Sequence, residues 1–174
     1  MSEQPFKLVI TGAFNTGKTT FVRSLSEIDV IDTDKATSSP GEQKVKASTT
    51  VAMDWGRLQL DDHKIQLFGT PGQGRFDFMR EILAKDMNGF LVLVDQSAPD
   101  TVDAAAALLA QFNELGESVP FAVVANKSDL GSASHEGLRE QLGLPASVPI
   151  YDCVATDPES VRNVLRQFLR ATRA

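Results

Sequence analysis

Cysteine occurs once in this chain of 174 residues, tryptophan once, tyrosine once and histidine twice. A single cysteine excludes an intramolecular disulfide, and a reducing compartment is the natural setting for such a chain. Cys153 lies in the apolar stretch PIYDCVA and reads as core, because neither His63 nor His135 has a sequence context that would make it the partner of a nucleophilic thiol. Positive charge is also short, with 17 Lys and Arg against 23 Asp and Glu and a formal net charge of −6. That balance argues against a nucleic-acid binder, which would present a basic face to the phosphate backbone. No apolar run is long enough to cross a bilayer, so no integral membrane segment is expected. MSEQPFKL lacks the order of a signal peptide and the glycine needed for myristoylation, and RATRA carries no cysteine for prenylation. The expectation is a soluble, cytoplasmic protein. With 42% hydrophobic residues and no internal repeat, residues 1–174 suit one globular domain.

What the chain does have is GAFNTGKTT, from Gly12 to Thr20, directly after the apolar run FKLVI. Four residues separate Gly12 from Gly17-Lys18-Thr19, the spacing of a phosphate loop. Glycine lets backbone N–H groups turn inward around phosphate oxygens, while a helix N-terminus and a lysine supply positive charge. Gly12, Asn15, Thr16, Gly17, Lys18 and Thr20 are the candidate phosphate-holding residues, and Thr19 would also offer its hydroxyl to Mg²⁺. The bland alternative is a glycine-containing turn. Against it stand the strand-like run before the loop and the helical spacing of Phe21, Val22 and Leu25 after it.

Residues 32–44, DTDKATSSPGEQK, read as a mobile polar loop. TVAMDWGRLQL and HKIQLFG then flank the polar turn DDHK and predict an antiparallel hairpin. GFLVLVD and FAVVANK are continuous apolar runs with β-branched residues, as buried parallel strands require. Between them Val102, Ala105, Leu108, Leu109, Phe112 and Leu115 recur at helical spacing, with Gly116 placed to end the helix. After PIYDCVA, Asp157 is placed to cap a helix that starts at Pro158 and buries Val161, Val164, Leu165, Phe168 and Leu169. Alternating strands and helices predict an α/β fold with a doubly wound, mostly parallel sheet and one antiparallel strand.

NKSD, residues 126–129, follows a strand and so falls where a crevice ligand meets the C-terminal ends of parallel strands. Its chemistry favours guanine. A carboxylate such as Asp129 accepts two hydrogen bonds from the ring N–H and the exocyclic amine of guanine, whereas adenine presents no amine there and would leave the carboxylate unpaired. Asn126 can bond the opposite edge of the base and brace the phosphate loop, and the Lys127 stem can lie along the face of the base. The alternative is an ordinary helix-start turn, which the phosphate loop upstream disfavours.

KLVITGAFNTGKTT, TTVAMDW, GTPGQGRF, NKSD and CVAT, in that order, make nearly the whole chain resemble the Ras-like small GTPases, with their P-loop GTPase fold. FGTPGQ looks most like the bacterial branch that includes the gliding-motility polarity GTPases of the MglA type and the GTPases of actinobacterial conservon operons. The resemblance implies a switch that binds GTP or GDP with Mg²⁺ and slowly hydrolyses GTP. It implies regulatory and effector proteins as partners, a roadblock-fold activator first among them. It makes residues 32–50 and 69–80 the two switch segments. Thr50 matches the threonine that closes on Mg²⁺ and the γ-phosphate, Gly72 the glycine whose N–H senses that phosphate, and Gln73 the residue that orients the attacking water. Ala155, beside Val154, matches the position whose N–H meets the guanine carbonyl oxygen. Such a site needs few parts, since phosphoryl transfer asks mainly for positioning and charge neutralisation. Thr50 also reads as an ordinary strand residue, and Gln73 as a solvated turn residue between two glycines.

One departure stands out: Gly69 replaces the aspartate that usually precedes this glycine by three residues and holds a Mg²⁺ water. Asp54, arriving from the neighbouring strand of the expected hairpin, is one candidate substitute. The competing reading has Asp54 facing solvent or a partner. A weakly hydrolysing nucleotide sensor or scaffold is the main rival function, and a phosphotransferase acting on a small molecule is a more distant one. Arg75 and Arg80 read as solvated or as an internal arginine finger. Arg162, Arg166, Arg170 and Arg173 read as the polar face of the last helix or as a membrane or partner patch. Trp55 reads equally as core or as an exposed anchor.

Overall fold

The computed structural model describes residues 4–13, 16–26, 31–32, 54–69, 87–98, 100–114, 119–129 and 135–173, with the backbone alone at 31, 32, 54, 111–114 and 173. GFLVLVD forms strand β5 (Gly89–Asp95), every residue of which is buried. A run without polar alternation requires cover on both faces, and it has it. β5 lies between β1 (Phe6–Gly12) and β6 (Phe121–Asn126), parallel to both. Beyond β6 lies β7 (Ile150–Cys153), also parallel. On the other side of β1 come β4 (His63–Gly69), parallel to it, then β3 (Asp54–Leu60), antiparallel, and the two-residue β2 (Ile31–Asp32). The order is β2-β3-β4-β1-β5-β6-β7, and β3 is the one strand that runs against the rest.

Alternate side chains divide the core. Leu8 and Ile10 of β1 and Leu91 and Leu93 of β5 meet α1 (Lys18–Leu25) and α4 (Pro158–Arg173) on one face. Val9, Phe90, Val92 and Val94 point to the opposite face, towards α2 (Asp100–Glu114) and α3 (His135–Leu142). A sheet with helices on both faces is the doubly wound architecture, and it gathers the loops after β1, β5, β6 and β7 at one edge. The chain thus has the P-loop GTPase fold expected of it.

Several local expectations are met. Val161, Val164, Leu165, Phe168 and Leu169 are buried, and Asp157 Oδ1 accepts the Glu159 N–H at 3.0 Å, as an N-cap does. Val102, Ala105 and Leu109 are buried along α2, whereas Leu115 and Gly116 lie outside the described residues. Asp32, taken as the start of a loop, is instead the last residue of β2, paired with Asp54. Helix α3 carries only two buried residues, Leu138 and Leu142, too sparse a stripe to announce a helix.

Candidate functional site

β1 ends at Gly12, and α1 starts at Lys18 after Gly17, whose φ of 101° lies in the left-handed region that disfavours side chains. A Cβ on Gly12 would lie 2.5 Å from the Leu93 carbonyl oxygen, and one on Gly17 only 2.3 Å from Asn126 Nδ2. Both positions therefore need glycine to let the loop backbone pass this close to its neighbours. Lys18 is 8% exposed, and its Nζ donates to the carbonyl oxygens of Gly12 (2.9 Å) and Ala13 (2.7 Å). The ammonium is thus curled over the loop it follows. Buried Thr16 closes the same turn, Oγ1 donating to the Ala13 carbonyl at 2.8 Å. The first turn of α1 holds no acidic residue, so the partial positive charge of its N-terminus is not cancelled there. Thr19 is half-buried and Thr20 exposed in that turn.

Asn126, 2% exposed at the end of β6, joins three segments. Its Nδ2 donates to the Thr16 carbonyl at 2.8 Å and its Oδ1 accepts the Ala155 N–H at 2.9 Å. Sequence reasoning gave Asn126 the brace to the phosphate loop, and the first bond makes it. The second bond directs the Ala155 N–H to Asn126, so a guanine carbonyl oxygen would have to share that donor or take it over. Two serines hold the same 154–155 segment. Ser160 Oγ accepts the Val154 N–H at 2.9 Å, and the single hydroxyl proton of Ser24 on α1 lies between the Thr20 carbonyl (2.9 Å) and the Ala155 carbonyl.

Lys127 follows with φ 59°, unusual for a residue with a side chain, and its Nζ sits 2.6 Å from Asp95 Oδ2. Asp95 is 4% exposed, and its Oδ1 also accepts the N–H of Ser97 at 2.8 Å and the Ser97 hydroxyl at 2.5 Å. Burial works against the charge on Asp95, but the hydrogen bonds from Lys127 and Ser97 outweigh it and hold the carboxyl below its ordinary value. Asp129 is exposed, in a turn that the Ser128 N–H fastens to the Cys153 carbonyl at 3.2 Å. Cys153 itself is 1% exposed, and burial pushes its thiol up to about 11.

Gly12, Thr16, Gly17, Asn126, Lys127, Asp129, Val154 and Ala155 therefore sit at the C-terminal ends of β1, β6 and β7 or in the turns just after them, and Lys18, Thr19 and Thr20 in the first turn of α1 that follows β1. Asn15, Thr50, Gly72, Gln73 and most of segments 32–50 and 69–80 lie outside the described residues, as does the side chain of Asp54. Sequence reasoning missed Asp95, Ser24 and Ser160. Asp95 left a signal, a carboxylate closing a fully apolar strand; the two serines left none. Of the arginines on α4, Arg162 pairs with Glu159, and Arg166 with Asp61 at 3.3 Å and Glu159 at 3.7 Å. Both thus have partners within the chain, as a solvated helix face would.

A glycine cradle, a buried ammonium and a helix start fit a polyphosphate, and the Thr19 hydroxyl in the same turn fits a hard cation that the phosphate carries in. Mg²⁺ suits such a site because it needs few protein ligands and keeps several waters. Among the described residues no group of three or more His, Cys, Asp or Glu is placed to hold a metal ion by itself. Nor, among them, is any helix long and apolar enough to cross a membrane.

The sequence profile of the Ras family matches residues 7–174. The chain is 38% identical over 133 residues to the uncharacterized protein MJ1339 of Methanocaldococcus jannaschii, covering 75% of each chain. To GTP-binding protein RHO1 of Candida albicans it is 27% identical over 132 residues, 67% of each. To the human EF-hand calcium-binding domain-containing protein 4B it is 27% identical over 172 residues, 95% of this chain but 22% of that protein.

Proposed function

From the premise that this chain belongs to the Ras family, we propose that it is a guanine-nucleotide switch that binds GTP and GDP and slowly hydrolyses GTP. The observation that carries the reading is Asn126, whose one amide ties the phosphate loop at Thr16 to the 154–155 segment and so fixes the distance between a phosphate site and a base site. In this reading the loop N–H groups and Lys18 hold the β- and γ-phosphates, and the Lys18 charge offsets the negative charge that moves onto the β–γ bridging oxygen as the bond breaks. Asp129 reads the guanine edge, and the Lys127 stem covers one face of the base. Gln73 orients a water for attack on the γ-phosphorus, releasing GDP and inorganic phosphate. Thr19 and Thr50 would hold Mg²⁺, with Asp54 supporting one of its waters. When bound, that ion neutralises phosphate charge and orients the oxygens around phosphorus.

The output is a binding event. GTP orders segments 32–50 and 69–80, and hydrolysis releases them to different partners. The likeness of FGTPGQ to the polarity GTPases supports a roadblock-fold activator and a cytoplasmic setting. Gly69, at the end of β4, favours a second reading, a nucleotide-binding sensor or scaffold with negligible hydrolysis. Denaturing freshly purified protein and identifying the released nucleotide tests the first claim: a guanine nucleotide is expected, and an adenine nucleotide would overturn it. Single-turnover hydrolysis then separates switch from scaffold.

A further inference from the structure

We propose that Asp95 is a positioning residue for nucleotide binding, acting by holding Lys127 as the platform on which the guanine base stacks; this rests on the guanine-nucleotide reading above. Lysine is a flexible side chain, and left to solvent it would have to be ordered each time a base arrived. Here its ammonium is held 2.6 Å from a carboxylate that is itself 4% exposed. Two further bonds from Ser97, from its N–H at 2.8 Å and its hydroxyl at 2.5 Å, fix that carboxylate at the end of β5. At the other end, the left-handed backbone of Lys127 (φ 59°) sets where the stem begins. The side chain is therefore held at both ends before the base arrives, and its methylene stem, part of a side chain 29% exposed, is what remains for an aromatic face to cover. Gln96, next to Asp95, donates its Nε2 to the Ala125 carbonyl at 2.9 Å, which ties the turn after β5 to the strand that delivers Lys127. A paired lysine also presents less net positive charge to the base, so its task is one of shape and stacking.

The edge of the base belongs to Asp129, and this separates the two roles. Inosine nucleotides lack the exocyclic amine but have the same stacking face. Dissociation of fluorescently labelled GDP and IDP from the full chain is measured for the parent, Asp95→Asn, Lys127→Ala and the double variant. Asp95→Asn is expected to speed release of both nucleotides by one common factor, on the order of tenfold, and to add nothing once Lys127 is alanine. A purely structural role would persist in the Lys127→Ala background, and that result would overturn the inference, as would unchanged release from Asp95→Asn. Should Asp95→Asn not fold, Ser97→Ala at an exposed position removes one bond to the same carboxylate. A smaller acceleration, again absent in the Lys127→Ala background, is then expected, and no acceleration overturns the inference. A parent protein that retains neither nucleotide overturns the guanine-nucleotide reading together with the inference, whereas a parent that retains GDP leaves the inference to stand or fall on its own variants.

Discussion

Asp54 and Gly69 are Cα partners across the antiparallel ladder of β3 and β4, at the end of the hairpin far from its turn. The strand neighbour of Gly69, the position where the resemblance to the small GTPases expects an aspartate, is thus itself an aspartate. On the proposed reading, Asp54 takes the place of that aspartate in supporting a Mg²⁺ water. Asp54→Ala is accordingly expected to raise the Mg²⁺ concentration needed to retain GTP and to slow hydrolysis, and Gly69→Asp in that background to restore part of both. Titrating Mg²⁺ against nucleotide release checks this, and superimposable curves for parent and Asp54→Ala would remove Asp54 from the metal site.

Lys18→Ala should abolish or severely weaken GTP binding while leaving the far-ultraviolet circular dichroism unchanged. It also strips a donor from the Gly12 and Ala13 carbonyls. Each lost hydrogen bond costs about 1 kcal/mol, which for a domain of this size lowers Tm by roughly 2–4 °C. Calorimetry of the nucleotide-free protein measures that loss apart from binding. Unchanged GTP affinity would rule out the phosphate-loop assignment.

Asp129→Asn should exchange guanine for xanthine selectivity, because an amide offers a donor where the xanthine edge carries an oxygen. The turn around Asp129 is held by backbone, the Ser128 N–H on the Cys153 carbonyl, so the substitution leaves its support in place. Competition between GDP, XDP and ADP reads the result. Equal affinity of the parent protein for ATP and GTP would remove the basis of the assignment.

Gln73→Leu should hydrolyse GTP more slowly than the parent, with the difference largest when a cognate activator is present, since such activators accelerate hydrolysis by about 10³ or more. Single-turnover rates with and without the activator decide it. Equal rates under both conditions would leave the glutamine without a catalytic role.

Acid should expose the contribution of Asp95. Its folded carboxyl titrates below the ordinary value of an aspartate, held there by the hydrogen bonds from Lys127 and Ser97 against the cost of burial, so the unfolded chain takes up the proton first as pH falls. The stability it contributes is therefore present above the ordinary aspartate value and is lost as pH drops through the lower folded value. Urea midpoints of the parent and Asp95→Asn should differ by a constant amount near neutrality and converge below about pH 4. A gap that does not narrow in acid would show that the charge on Asp95 contributes nothing.

The sequence was most informative where the chemistry is local. Gly12, Gly17 and Lys18 fall between the end of β1 and the start of α1, and the spacing alone fixes their relation. The hairpin register was legible as well, because the two-residue turn at Asp61 and Asp62 leaves little freedom in how β3 meets β4. Contacts between distant segments were not legible. Asp95 and Lys127 stand 32 residues apart, and Ser24 reaches Ala155 across 131. Nothing in either neighbourhood announces a partner that only strand order and helix docking bring close. Helix α3 was missed for another reason: with two buried leucines, its helicity is decided by packing against the sheet and not by its own pattern.

Cys153 makes the molecule a reporter of its own opening. The thiol is 1% exposed among the side chains that join β7 to α1 and α4, and burial holds it up to about 11, which disfavours the reactive thiolate at neutral pH. Reaction with a thiol reagent must wait until that packing parts. The rate of modification of the native protein is thus a clock for the opening of the packing between β7, α1 and α4, and a second cysteine placed on the surface would be labelled long before the clock has ticked.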